Sequence, residues 1–96
     1  MLRWIMYDIT DDRARTKVAK ACKRAGLYRV QLSVFLGSLP PTEFDELRLE
    51  IEDHVDPEAD KVYLFTMSKR ELKRTVLLGQ AFDRKLVTDE VRALFV

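Results

Sequence analysis

Ninety-six residues, 47% hydrophobic and 34% charged, describe one globular domain with a modest core and exclude a disordered chain. No apolar run approaches the roughly 18 residues of a membrane span, the short run Leu2–Tyr7 is broken by Arg3 and closed by Asp8 as no secretory leader would be, and the single cysteine, Cys22, excludes an internal disulfide or a cysteine-built zinc site, so a cytoplasmic protein is expected. The formal net charge of +1 hides a segregation: six bases and no acid from Arg13 to Arg24, nine acids against one base from Pro40 to Asp60, five bases against one acid from Lys61 to Arg74.

In chain order, Leu2–Ile9 is an almost continuous apolar run, which predicts a buried central strand. Thr10, Asp11 and Asp12 offer caps for a following helix. In that helix Ala14, Val18, Ala21, Cys22 and Ala25 fall on one narrow face of small residues, and Gly26 is a natural stop. Tyr28–Leu39 is strand-like, either a tight hairpin broken near Ser33 or one long bulged strand. Pro40, Pro41 and Thr42 open a second helix, whose stripe is Phe44, Leu47, Ile51 and Val55 and whose end is Asp56-Pro57. Lys61–Met67, with Val62, Tyr63, Leu64 and Phe65 in succession, predicts another central strand buried on both faces. Ser68–Arg74 reads as a basic loop, Thr75–Leu78 as a short strand stopped by Gly79, and Arg92–Val96 as a last apolar strand in need of a partner edge. The order β-α-(β-β)-α-β is that of a ferredoxin-like βαββαβ fold in the α+β class, with residues 1–67 as its core and 68–96 as an extension.

The chemistry concentrates after the first strand. Asp8 ends that strand, and an acid there either holds a divalent cation or caps the helix. One carboxylate is a thin metal site, and a symmetric dimer would supply a second. Mg²⁺ prefers oxygen ligands, keeps waters, and takes one or two carboxylates together with substrate phosphate. Arg15 offers a bidentate grip on a phosphate and Lys17 a point charge, although positions 15 and 17 do not share a helix face. Lys69, Arg70, Lys73 and Arg74 make a second basic group, either tracking a duplex backbone or simply solvated. Trp4 reads as a core anchor, and His54, the sole histidine, lies in the acidic helix far along the chain from Asp8.

Tyr7-Asp8-Ile9, Arg15-Thr16-Lys17, the run Gly26-Leu27-Tyr28-Arg29-Val30-Gln31-Leu32-Ser33-Val34-Phe35, Gly37 and Asp60-Lys61-Val62 together carry a resemblance over residues 1–67. The chain resembles the small CRISPR-associated, nuclease-like proteins that partner the CRISPR integrase during spacer acquisition. The resemblance implies a ferredoxin-like homodimer in which a C-terminal strand is exchanged onto the partner's sheet. It implies one Mg²⁺ shared by Asp8 of both protomers and cleavage of RNA or DNA. Tyr7, Asp8, Arg15 and Ser33 would serve catalysis, unless Tyr7 simply packs in its strand, and Arg15, Lys17, Arg29, Lys69 and Arg70 would bind nucleic acid, duplex DNA or single-stranded RNA. Leu94 and Phe95 would line the dimer interface together with Phe35, which reads either as core or as interface. Two other classes compete: an RNA-cleaving toxin of related fold, and a non-catalytic RNA- or ligand-binding module that would display Tyr63 and Phe65.

Overall fold

The computed structural model describes residues 1–81, and Leu94, Phe95 and the expected strand Arg92–Val96 lie outside them. The elements are β1 (Leu2–Asp8), α1 (Asp12–Arg24), β2 (Tyr28–Gln31), β3 (Val34–Ser38), α2 (Pro41–Glu52), β4 (Lys61–Met67) and α3 (Lys69–Arg74). The sheet is antiparallel with strand order β2-β3-β1-β4, and the fold is ferredoxin-like.

Alternation along β1 sorts its side chains onto two faces. Ile5 and Tyr7, together with Phe35 of β3, meet α1 and α2 through Val18, Ala21, Cys22, Leu47 and Ile51. Leu2 and Trp4 point the other way, onto Leu36 and Leu72. The small-residue stripe of α1 is buried as its spacing predicts, with Ala14 and Ala25 at its margins, and Phe44 and Val55 flank the buried Leu47 and Ile51 of α2. Asp11 is the N-cap of α1, accepting from Ala14 N at 2.8 Å, a contact worth about 1 kcal/mol. Gly26 follows the helix at φ 91°, a conformation that side chains with a Cβ rarely adopt.

Arg3, which interrupts the apolar run of β1, is buried nevertheless. Its Nε donates to Leu39 O at 3.1 Å, its Nη1 to Thr66 Oγ1 at 2.7 Å, and its guanidinium lies 4.3 Å from the centre of the Phe44 ring. These contacts replace the water that a buried cation would otherwise lose.

Of the two geometries left open for residues 28–39 the structure has the hairpin, turning at Leu32-Ser33, with a register shift between Arg29 and Gln31. Several other expectations are corrected. α2 stops at Glu52, before Asp56-Pro57. Among the described residues β4 is not central: it pairs only with β1, and Tyr63 and Phe65 are exposed. Ser68–Arg74 is no loop, because Ser68 and Glu71 close a reciprocal capping box that starts α3, and Leu72 anchors that helix on the sheet. Thr75–Leu78 is not a strand, and Val76 and Leu78 are exposed.

Candidate functional site

β1 ends at Asp8, whose Cα lies opposite Lys61, the first residue of β4. The Asp8 side chain is exposed, whereas Tyr7 and Ile9 on either side of it are buried. The turn beyond is clamped. Asp60 Oδ1 accepts from Thr10 N at 3.0 Å and from Thr10 Oγ1 at 3.2 Å, while Asp60 Oδ2 accepts from Asp56 N at 2.9 Å. The amides of Asp56 and Thr10 favour the ionised carboxylate and hold Asp60 below the usual aspartate range.

Two arginines approach this strand end, each fixed by main chain. One turn into α1, Arg15 donates through Nη1 to Ile9 O at 3.0 Å and pairs with Asp12. From β2, Arg29 donates through Nε and Nη2 to Leu32 O at 3.1 and 2.9 Å, and its guanidinium lies 5.4 Å from the centre of the Phe35 ring. The hairpin turn itself is tied to β1, since Tyr7 N donates to Ser33 O at 3.0 Å. Between α1 and this turn lies a cavity of about 540 Å³, lined by Asp8, Ile9, Arg15, Thr16, Ala19, Lys20, Lys23, Arg29, Leu32 and Ser33.

The structure therefore brings Asp8, Arg15, Arg29 and Ser33 together. Tyr7 lies beneath them: it is buried, it stacks on Phe35 at 6.3 Å between ring centres, and its Oη has no hydrogen-bond partner among the described residues. Burial pushes its phenol pKa up, and the neighbouring Arg29 charge pulls against that. Its visible role is packing. Lys17 is exposed but does not line the cavity. Lys69 and Arg70 begin α3, beyond Met67, whose Cα is opposite Leu2, so they stand at the other end of the sheet from Asp8. Phe35, expected at a dimer interface, is 0% exposed and sits on the helix-covered face, where it offers no surface to a second copy.

Sequence reasoning left Lys20 and Lys23 undistinguished within the basic run and gave Thr16 no role of its own. Their spacing of four and three residues puts all three on one stripe of α1, and that was the available clue.

Among the described residues no group of three or more His, Cys, Asp or Glu side chains could hold a metal ion. Asp8 has the hard oxygen donors that Mg²⁺ takes, but beside it stand Lys61 and the cationic cavity. One chain therefore fits the ion only if substrate phosphate or a second carboxylate completes the set. On the sheet face that carries Trp4, Met6 (37% exposed), Tyr63 (59%) and Phe65 (40%) leave an apolar strip uncovered, leading toward Asp8.

The model of the family described as CRISPR associated protein Cas2 matches residues 1–75. A CRISPR-associated endoribonuclease Cas2 of Chloroflexus aurantiacus is 38% identical over 79 residues, which is 82% of this chain and 84% of that protein. A CRISPR-associated endonuclease Cas1/endonuclease Cas2 fusion of Thermoproteus tenax is 34% identical over 68 residues, 71% of this chain and 26% of the fusion. The crystal structure of Streptococcus pyogenes Cas2 superposes with a TM-score of 0.71 at 28% identity, covering 82% of this chain and all of that one. With the family model matching residues 1–75, about three quarters of its length, the chain belongs to the CRISPR-associated Cas2 family.

Proposed function

We propose that this chain serves CRISPR adaptation as a homodimer that binds nucleic acid, docks an integrase, and cleaves phosphodiesters with Mg²⁺ held by Asp8 of both protomers. The observation that carries this reading is the position of Asp8. It is exposed at the end of β1, and Met6, Tyr63 and Phe65 form an uncovered apolar strip leading toward it. A second copy covering that strip across a two-fold axis would set its own Asp8 near the first. The Thermoproteus tenax protein, in which Cas1 and Cas2 are one polypeptide, supports the integrase partner.

The arrangement of this chain's own residues suits phosphodiester chemistry. Arg15 and Arg29 are held by the carbonyls of Ile9 and Leu32, so their planar forks are oriented before a ligand arrives. They would grip the phosphates flanking the one being cut, in duplex DNA or single-stranded RNA. Ser33, on the turn tied to Tyr7 N, would hydrogen-bond the same backbone. Bound between two Asp8 carboxylates, Mg²⁺ would neutralise charge on the phosphoryl oxygens and acidify a water.

The test is Asp8→Ala in purified protein with labelled DNA and RNA substrates and Mg²⁺. Cleavage is expected to vanish while the thermal midpoint and the dimer mass stay unchanged, and cleavage at the unsubstituted rate would remove the metal site. A second reading, a non-catalytic RNA-binding module, is favoured by the exposure of Tyr63 and Phe65. The same rings cannot both be covered by a second copy and stack on bases. Sedimentation with and without single-stranded RNA decides: RNA that splits the dimer into monomers supports the module.

A further inference from the structure

We propose that the cavity between α1 and the β2–β3 turn is a binding pocket for a phosphate monoester, gripped by Lys20, Lys23, Arg29 and Ser33 without the help of a metal at Asp8. This goes beyond the function proposed above and stands without it, since it requires neither cleavage nor a second copy.

Charge is the first argument. Among the described residues, four cationic side chains, Arg15, Lys20, Lys23 and Arg29, line one cavity of about 540 Å³ with a single acid, Asp8. Neighbouring bases on this helix are neutralised: Arg24 pairs with Glu50 at 2.9 Å and Arg15 with Asp12. Lys20 and Lys23 have no ion pair and no side-chain hydrogen bond among the described residues. Cations gathered around one cavity without counter-ions repel one another, and a bound anion relieves that repulsion.

Chemistry and size narrow the anion. Ser33 adds a hydroxyl to the wall, the Thr16 hydroxyl being spent on Asp12 O at 2.9 Å, and the Arg29 guanidinium is already oriented by Leu32 O. The set combines point charges, a planar fork and a hydroxyl donor, which suits tetrahedral phosphate oxygens. Among the described residues the apolar lining is only Ile9, Ala19 and Leu32, with no aromatic ring to stack on a base. Recognition therefore falls on phosphate and not on base identity. The volume lies within the range of small-ligand sites, roughly 300–1,000 Å³, with room for a nucleotide behind its phosphate. A terminal monoester carries about −1.5 to −2 at pH 7, more than the single charge of an internal diester, and answers this cation excess better.

Two sources share this chemistry, a strand terminus and a free nucleotide, and one experiment separates them. Binding is measured in EDTA for a 5′-phosphorylated single-stranded oligonucleotide, the same strand with a 5′-hydroxyl, and adenosine 5′-monophosphate. The phosphorylated strand is expected to bind about tenfold tighter than the hydroxyl strand. That preference should disappear in K20Q/K23Q at an unchanged thermal midpoint and survive in Asp8→Ala. Adenosine 5′-monophosphate matching the phosphorylated strand also supports the pocket and names a free nucleotide as its source. Equal binding of the two strands, or a preference that persists in K20Q/K23Q, overturns the proposal. Loss of the preference in Asp8→Ala overturns its independence from the metal site, whereas cleavage surviving Asp8→Ala would sink only the nuclease reading.

Discussion

The two faces of the sheet are finished to different degrees. On the helix side Ile5 and Phe35 are 0% exposed, closed in by α1 and α2. On the opposite side closure is partial: Leu72 of the short α3 seals Leu2, Trp4 and Leu36, but Met6, Phe65 and Tyr63 remain open toward Asp8. The chain thus spends its apolar surface on one complete core and one incomplete one. A 96-residue domain has few side chains to spare for an unused apolar strip. The end of the sheet left open is also the end that carries the strand-end acid and the cationic cavity. The difference teaches where to look for chemistry and association: on the side that the described residues leave open.

The largest expected effect tests that contrast directly. Phe35→Ala removes a ring packed on all sides and should cost about 3–5 kcal/mol, lowering the thermal midpoint by at least about 12 °C in a domain of this size. Tyr63→Ala, on the open side, should change the stability of the monomer by less than about 0.5 kcal/mol and show itself instead as weaker self-association in sedimentation. Equal losses for the two variants would mean that the open face is as much part of the folded core as the closed one. A smaller effect sharpens the closed side further. A Cβ added at Gly37 would lie 2.7 Å from Leu27 Cδ2 and 3.2 Å from Leu27 Cα. The first atom can rotate away but the second is backbone, so Gly37→Ala should cost about 1–3 kcal/mol by urea unfolding. A neutral substitution would show that β3 and the segment after α1 slide apart easily.

The closed face was also the legible one. The small-residue spacing of α1 and the Phe44-Leu47-Ile51 stripe of α2 have helical periods that only a helix on a sheet satisfies, and both pack as read. The open face misled for a physical reason. An apolar run such as Val62–Phe65 has the same composition whether one face or both are buried, so a strand with Tyr63 and Phe65 exposed reads like a central one. α3 was hidden because six residues with one buried leucine give no periodicity, although Ser68-x-x-Glu71 is a capping box that could have been recognised. At the site, Asp8, Arg15, Arg29 and Ser33 were legible through the resemblance. That the strand-end acid shares a cavity with Lys20 and Lys23 was not, because their meeting with Ser33 depends on the hairpin turning at Leu32-Ser33, one of two geometries the sequence allowed.

The smallest effect concerns what holds the open end together. Asp60 ties the turn after Asp8 to the start of β4, and the amides of Asp56 and Thr10 keep its carboxyl below the usual range. A depressed folded-state pKa means that the native protein binds fewer protons than the unfolded one, which titrates near 3.9. The stabilisation is therefore complete above that value and is lost as pH falls through the folded pKa. The amide resonances of Thr10 and Asp56 should follow one titration with its midpoint below 3.9, while amides of the helix-covered strands stay fixed through the same range. Asp60→Asn keeps one acceptor but puts an NH2, which cannot accept, against one of the two amides, so it should lose at pH 7 the stabilisation that the ionised carboxylate supplies and should flatten the acid limb of stability against pH. The slope that persists should then follow Glu71, whose carboxylate is held down by the Ser68 amide in the capping box of α3. If Asp60→Asn leaves the limb unchanged and the Thr10 amide does not titrate, the ionised carboxylate is not what positions the strand end. The placement of Asp8 would then rest on its strand pairing with Lys61 alone.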